Sequence, residues 1–153
     1  MDLFVYLPGR GGFIMKDIKD ILKQYWGYED FRSLQEEIVR SVIAGKDTLA
    51  LMPTGGGKSL TYQIAALAKE GMCVVITPLI ALMKDQVEDL KHRGISAEAI
   101  YTGMSREQAE SILNKCIGAK MKFLYISPER LASEKFRAVS YTHLRAHETL
   151  SDL

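Results

Sequence analysis

Apolar positions along the chain follow two periods, one typical of helices and one typical of buried strands. From Ile18 to Tyr25 they recur every three to four residues, which predicts a short amphipathic helix that ends at Gly27. Continuous apolar and β-branched residues at 72–77 predict a strand buried on both faces of a sheet. Further helices are predicted at 34–42, 60–69, 79–92 and 105–117, and further strands at 97–101 and 122–126. Alternating strands and helices of this length predict an α/β fold, in which helices cover both faces of a parallel sheet.

Finer features of the pattern predict how individual helices begin and which side they bury. Ser33 with Glu36, and Ser105 with Gln108, have the spacing of a capping box, in which each side chain bonds the backbone N–H of the other residue. The helix at 79–92 carries one apolar stripe, which we expect to face the core. That stripe consists of Leu79, Leu82, Met83, Val87 and Leu90.

The sequence divides into three parts. Residues 1–14 are rich in glycine near their end and show no clear periodicity, so we interpret them as a loose leader. The domain itself is expected to cover residues 15–139. Residues 140–153 resemble translated sequencing-adapter read-through and replace an expected apolar strand, so we interpret them as a non-native tail. His143 and His147 in this tail are four residues apart, but no third metal ligand accompanies them.

Length, charge and cysteine content are those of an ordinary globular chain. Its 153 residues suit about one domain, and 47% of them are hydrophobic. A net charge of +1 gives no general attraction to nucleic acid, so such binding would need local contacts. Cys73 and Cys116 lie in apolar stretches, which favours buried free thiols in a reducing compartment over a disulfide. The apolar run at 3–7 is too short for a signal peptide or a membrane span, so we expect a cytoplasmic location and no membrane partner.

Residues 52–59 carry the most specific chemical signal of the chain. An apolar run at 48–51 precedes three successive glycines, and a helix-like segment follows them. Glycines let the backbone N–H groups turn inward around phosphates because no Cβ stands in the way. Lys58 can then reach the outer phosphates, and the Ser59 hydroxyl can bind Mg²⁺. Met52 stands where the strict phosphate-loop pattern requires Gly, and the alternative interpretation is a Gly-rich turn before an ordinary helix.

Four blocks of sequence, in this order, resemble the RecQ family of superfamily 2 DNA helicases. The blocks lie at 25–35, 52–63, 77–86 and 125–131. The first is similar to the family's adenine-recognition motif, the second is the phosphate loop with its extension, and the third is similar to the family's first DNA-contacting block. Their joint order is more specific than any single block. One departure is Ser33-Leu34, where the family usually has Pro-Gly.

This resemblance implies a RecA-like P-loop fold, incomplete in this chain, that binds ATP together with Mg²⁺. Gln35 would read the adenine edge because its amide both donates and accepts, while Tyr28 and Arg32 would stack on the base. Taken alone, Tyr28 and Arg32 would instead be interpreted as surface residues of a turn. Lys58 is the candidate catalytic residue, and Ser59 is the candidate Mg²⁺ ligand. The phosphates would be bound by Thr54, Gly55, Gly56, Gly57, Lys58 and Ser59.

The resemblance also implies contacts with a DNA backbone at the ends of the predicted strands, where open parallel sheets bind their ligands. Lys84 could supply a charge, although Lys84 and Asp85 fit a solvated helix face equally well. The intact parent would act on single-stranded DNA and duplex junctions, in a bacterial cytoplasm or nucleoid. The expected DNA contacts are Thr77, Pro78, Lys84, Thr102, Gly103, Ser127, Pro128 and Arg130.

One part of the family's chemistry is missing from the sequence. The second Mg²⁺-binding motif of the family reads Asp-Glu-x-His, and this chain contains no Asp-Glu pair. Without these carboxylates nothing would orient the attacking water. A second lobe and a zinc-binding module are also missing. We therefore expect the chain to bind ATP, to hydrolyse it poorly, and not to unwind DNA by itself.

Three functions are compatible with these observations. The sequence favours an N-terminal piece of the first motor lobe of a RecQ-like 3′-to-5′ DNA helicase, whose intact parent couples ATP hydrolysis to duplex unwinding. A DEAD-box RNA helicase fragment is the second hypothesis, but its third block would read Pro-Thr-Arg-Glu-Leu, unlike the sequence from Thr77 to Ala81. A nucleotide-binding module or an inert piece without catalysis is the third.

Overall fold

The computed structural model describes residues 3–8, 16–32, 34–45, 57–118 and 121–132. They belong to two compact units, one of which holds the first strand and the residues from 71 onwards, while the other ends at Glu70. In chain order the elements are β1 (Leu3–Pro8), α1 (Ile18–Trp26), α2 (Gln35–Ile43), α3 (Lys58–Leu67), β2 (Gly71–Ile76), α4 (Ile80–His92), β3 (Ala97–Ile100), α5 (Arg106–Gly118), β4 (Phe123–Ile126) and α6 (Pro128–Leu131).

The smaller unit is built from α1, α2 and α3. Asp17 begins α1 because its carboxylate accepts a hydrogen bond from the backbone N–H of Lys19 (2.8 Å). Gly27 ends the same helix in the left-handed conformation, with φ of 75°, as the sequence predicted. The apolar faces of the three helices meet in one core, whose fully buried members include Val39 and Ile64, both 0% exposed.

The larger unit contains a four-stranded sheet in the order β1-β2-β4-β3. Strands β2, β4 and β3 are parallel, with Cys73 opposite Phe123 and Ala97 opposite the same residue. The chain therefore moves outward from β2 to β3 and returns to β4. Because such crossovers are right-handed, α4 and α5 cover opposite faces of the sheet. The predicted α/β class with a parallel sheet is confirmed.

The core of the larger unit lies on both faces of the sheet. Val74 and Leu124 pack with the buried side of α5, including Leu113. Val75 and Tyr125 point to the other face, because side chains alternate along a strand, and both are 0% exposed. A strand buried on both faces is what the continuous apolar run at 72–77 predicted.

Two regions differ from the expectations. The predicted loose leader contains β1, which pairs antiparallel with β2 over six positions from Leu3 opposite Ile76 to Pro8 opposite Gly71. At the start of α4, Leu79 and Leu82 are 57% and 37% exposed, so the prediction that both lie in the core was wrong. Leu79 is not part of the helical stripe because it precedes the helix in an extended conformation, with ψ of 91°. The buried side of α4 consists of Met83, Val87 and Leu90.

Candidate nucleotide and nucleic-acid sites

The described part of the phosphate loop is its last glycine and the first turn of α3. Gly57 precedes the helix with φ of 75° and ψ of 38°, a conformation that favours glycine. The N-terminal N–H groups of an α-helix have no partners within the helix, and with the helix dipole they favour an anion. Lys58 is exposed and Ser59 is half-buried at this end of α3. The other predicted contacts, Thr54, Gly55 and Gly56, lie outside the described residues, as does the apolar run at 48–51.

Gln35 is brought against this glycine from the preceding helix. Its side chain is 4% exposed, and its Oε1 accepts a hydrogen bond from the backbone N–H of Arg32 (2.8 Å). A Cβ added at Gly57 would overlap the Nε2 atom of Gln35. The first and second sequence blocks therefore meet in space. Tyr28, 53% exposed, and Arg32, also exposed, lie in the loop between α1 and α2.

These residues fit a nucleoside triphosphate with Mg²⁺. A hydroxyl, an exposed ammonium group and helix-end N–H groups are together at the start of α3, and no Cβ obstructs them at Gly57. The first turn is held further by Thr61, whose hydroxyl donates to the carbonyl of Lys58 (2.5 Å). Within the described ranges, no three His, Cys, Asp or Glu side chains cluster as a metal site would require.

The second candidate site lies in the larger unit, at the carboxyl ends of its parallel strands. Thr77 follows β2, and its backbone N–H bonds the carbonyl of Ile126 (3.2 Å). Ser127 follows β4, and its backbone N–H bonds the carbonyl of Ile100 (3.0 Å). Thr102, two residues after β3, places its Oγ1 3.5 Å from the Oγ of Ser127. Residues from the third and fourth blocks therefore share one edge of the sheet with Thr102, which lies between these blocks in the sequence.

Burial separates these predicted contacts into two groups. Thr77 and Ser127 are each 1% exposed, and the Oγ1 of Thr77 accepts from the backbone N–H of Leu79 (3.3 Å). Their side chains therefore hold the loop ends together. The predicted contacts that reach the surface at this edge are Pro78, Thr102, Gly103 and Pro128.

The two basic side chains near this edge are held in different ways. Lys84 on α4 is exposed, and its Nζ lies 4.7 Å from the centroid of the Tyr101 ring, a cation–π contact. Arg130 on α6 is half-buried, and its Nη2 donates to the backbone carbonyl of Met104 (2.6 Å). Sequence reasoning missed Tyr101 and Met104. Their only signal was proximity to the predicted Thr102-Gly103 pair.

Both thiols are free and buried, as the sequence predicted. Burial raises the pKa of Cys73 to about 12, partly opposed by the positive charge of Lys122. Burial, together with the carboxylate of Glu98, raises the pKa of Cys116 to about 11. Since the thiolate is the reactive form, neither cysteine suits nucleophilic or redox chemistry.

Comparison with known proteins decides the family. The sequence profile of the DEAD/DEAH box helicases matches residues 32–147. The chain belongs to this family. The matched range holds the phosphate loop and both groups of candidate contacts, except Tyr28. It also extends past residue 139, where the domain was expected to end, and the origin of the tail stays a prediction.

Individual helicases similar to this chain have RecQ-type names. It is 44% identical to the ATP-dependent DNA helicase RecQ of Haemophilus influenzae over 123 residues, which are 80% of this chain and 20% of that protein. It is 48% identical to the RecQ helicase of Bacillus subtilis over 119 residues, 77% of this chain and 20% of that protein. The ATP-dependent DNA helicase Q1 of Mus musculus is 40% identical over 120 residues, 77% of this chain and 18% of that protein.

These similarities confirm the RecQ resemblance that the four sequence blocks indicated. The chain spans about a fifth of the length of the curated relatives it matches. None of the helices in the described residues has the length and the apolar composition of a membrane span.

Proposed function

We propose that this chain supplies the ATP-binding part of the first motor lobe of a RecQ-like 3′-to-5′ DNA helicase, whose intact form couples ATP hydrolysis to duplex unwinding. The observation that carries the proposal is the contact between Gln35 and Gly57. A base-recognising amide beside the last glycine of a phosphate loop suits a ligand with an adenine at one end and phosphates at the other.

The residues of the smaller unit divide the work of binding. The N–H groups at the start of α3, with Lys58, bind phosphate oxygens, and the Ser59 hydroxyl binds Mg²⁺. Gln35 binds the adenine edge, while Tyr28 and Arg32 stack on the base. Thr54, Gly55 and Gly56 complete the phosphate loop. When bound, ATP with Mg²⁺ supplies the phosphoryl group whose transfer to water drives strand separation.

The sheet edge of the larger unit binds the backbone of a DNA strand. Pro78, Thr102, Gly103 and Pro128 lie at its surface, and Lys84 brings a positive charge close to them. A few phosphate contacts give weak, salt-sensitive affinity. Thr77 and Ser127 are buried beneath this surface, where they hold the loop ends in place.

We infer that the 153 residues bind ATP without efficient turnover, because the sequence has no Asp-Glu pair to bind Mg²⁺ and orient water. We also infer a cytoplasmic location, which suits two buried free thiols. A measurement of DNA-stimulated ATP hydrolysis tests the first inference. Substantial turnover by this chain would contradict it, whereas binding without turnover supports it.

The nucleotide site is tested by titrating the parent chain and Lys58→Ala with Mg²⁺–ATP in a calorimeter. Loss of the ammonium group removes a charge-assisted contact of about 1.5–3 kcal/mol, so affinity should fall about ten- to a hundredfold. Lys23→Ala is the control, because Lys23 is an exposed lysine of α1 whose partner is the exposed Glu29. Equal affinities of the parent and Lys58→Ala would remove the proposed site.

A further inference from the structure

The turn between β3 and α5 is held by two consecutive side chains of α6. The Nη2 of Arg130 donates to the backbone carbonyl of Met104 (2.6 Å). The carboxylate of Glu129 accepts from the Thr102 hydroxyl (3.3 Å). These bonds fix the first and the last residue of the turn at 102–104.

The backbone of this turn is unusual in a way that explains why it needs support. Gly103 has φ of 98°, a conformation that side-chain-bearing residues rarely adopt. The turn itself is closed by a single long backbone bond, from the N–H of Met104 to the carbonyl of Tyr101 (3.2 Å). Exposed glycines in such turns are conformationally free unless neighbouring groups fix them. The bond from Arg130 is shorter and involves a charged donor, so it is the stronger restraint.

We propose that Arg130 is a positioning residue, which holds the turn at 102–104 in the shape that receives a DNA strand and does not itself bind a phosphate. This inference rests on the DNA contact proposed above. Lys84 supplies the contrast, because its exposed ammonium group lies over Tyr101 at the same edge and is available to a phosphate. The two cations therefore have different roles, one in holding the protein and one in attracting the ligand.

Salt dependence separates the two roles. Affinity for single-stranded DNA falls as the salt concentration rises. Each phosphate contact makes the slope of log affinity against log salt concentration steeper by about 0.7. The test measures binding of a fluorescent oligothymidine by the 153-residue chain over a series of salt concentrations. Arg130→Ala should bind about tenfold more weakly with an unchanged slope, because an equilibrium shift of that size follows from losing one charge-assisted bond. Lys84→Ala should make this negative slope shallower by about 0.7, because one phosphate contact is lost.

Two further variants make the outcome specific. Arg130→Lys keeps the charge but loses the reach and planar geometry of the guanidinium, so it should behave like Arg130→Ala. Arg93→Ala removes the ion pair between Arg93 and Asp89 at the other end of α4, away from the sheet edge, and should leave binding unchanged. A shallower salt dependence for Arg130→Ala, or parent-like affinity for Arg130→Lys, would overturn the proposal in favour of direct phosphate binding.

A second measurement needs no DNA. Hydrogen exchange of the Met104 amide should be about tenfold faster in Arg130→Ala and Arg130→Lys, while the Thr77 amide, bonded to Ile126 within the sheet edge, should be unaffected. Unchanged protection of Met104 would show that Arg130 does not hold the turn. A parent chain that binds no oligothymidine would instead remove the proposed DNA contact, and the exchange rates would still decide the structural role of Arg130.

Discussion

Gly57 combines two demands in one residue. Its φ of 75° lies in the left-handed region, and the space beside its Cα is filled by the Gln35 amide. Gly45 provides a natural comparison, since its φ is 79° but nothing lies within 4 Å of an added Cβ. The two glycines therefore separate the cost of backbone strain from the cost of steric overlap.

We predict that Gly57→Ala destabilises the chain more than Gly45→Ala. The left-handed conformation costs an alanine about 1–2 kcal/mol at either position. At Gly57 the Gln35 side chain must also move, which lowers the free energy of unfolding further. Nucleotide binding weakens as well, because Gln35 is the proposed adenine contact. Urea titrations of the parent and both variants give the free energies of unfolding. Equal losses at the two positions would contradict the contact between Gln35 and Gly57.

The buried thiol of Cys73 makes stability depend on pH in the alkaline range. Its pKa rises from 9.0 to about 12 on burial, so the folded chain keeps a proton that the unfolded chain releases. The protonated thiol therefore contributes to the free energy of unfolding in full below pH 9. This contribution is lost as the pH rises from 9 towards 12, by at most about 1.4 kcal/mol per pH unit. Unfolding titrations at several alkaline pH values should show a shallower decline for Cys73→Ala than for the parent. Parallel declines would contradict the burial of an ionisable thiol.

At the scale of single elements, the two predicted capping boxes had different outcomes. Ser105 and Gln108 form theirs, with the Gln108 N–H donating to Ser105 Oγ (3.2 Å) and the Ser105 N–H donating to Gln108 Oε1 (3.3 Å). The other box was wrong, because α2 begins at Gln35 and Leu34 occupies its N-cap with φ of 63°. Glu36 pairs with Arg40 instead, at 3.0 Å, and Ser33 lies outside the described residues.

We predict that Ser105→Ala lowers the free energy of unfolding by about 1 kcal/mol, because a helix N–H loses its acceptor. Ser111→Ala is the matched control: Ser111 is an exposed position within α5, where alanine has the higher helix propensity. The control should be neutral or slightly stabilising. Thermal unfolding of both variants checks the prediction, and equal midpoints would argue against a functional cap at Ser105.

At the scale of the whole sheet, the two outer strands determine whether the apolar inner strands can pair with other chains. The outer strand β3 carries Glu98, which pairs with Lys91 (3.4 Å) and Lys115 (3.7 Å), and charges of this kind discourage pairing with other chains. On the other side, β1 pairs along the whole length of β2. The residues of β2 from Met72 to Val75 are at most 5% exposed.

We predict that a chain beginning at Met15 associates more strongly with itself than the parent. Removing β1 exposes the backbone N–H and C=O groups along the apolar strand β2, which then offers an edge to other chains. Light scattering and the soluble fraction after centrifugation measure the effect. Val5→Pro, which removes one backbone donor from β1, should act in the same direction. If the shortened chain stays as monodisperse as the parent, residues 1–14 are a dispensable leader, as the sequence pattern suggested.

The sequence by itself determined the features that depend on neighbouring residues. The periods of apolar positions predicted the helices and parallel strands, Gly27 predicted the end of α1, and the four ordered blocks predicted the family. These signals are local, because helix faces, strand alternation and caps depend on residues a few positions apart.

The tertiary structure decided what depends on distant residues. It brought Gln35 to Gly57, Lys84 to Tyr101 and Arg130 to the carbonyl of Met104. It also placed β1 beside β2, although the apolar run at 3–7 had been interpreted as part of a loose leader. None of these pairs is related by helical or strand spacing. Their proximity follows from the order of strands in the sheet and the packing of helices, which no local pattern specifies.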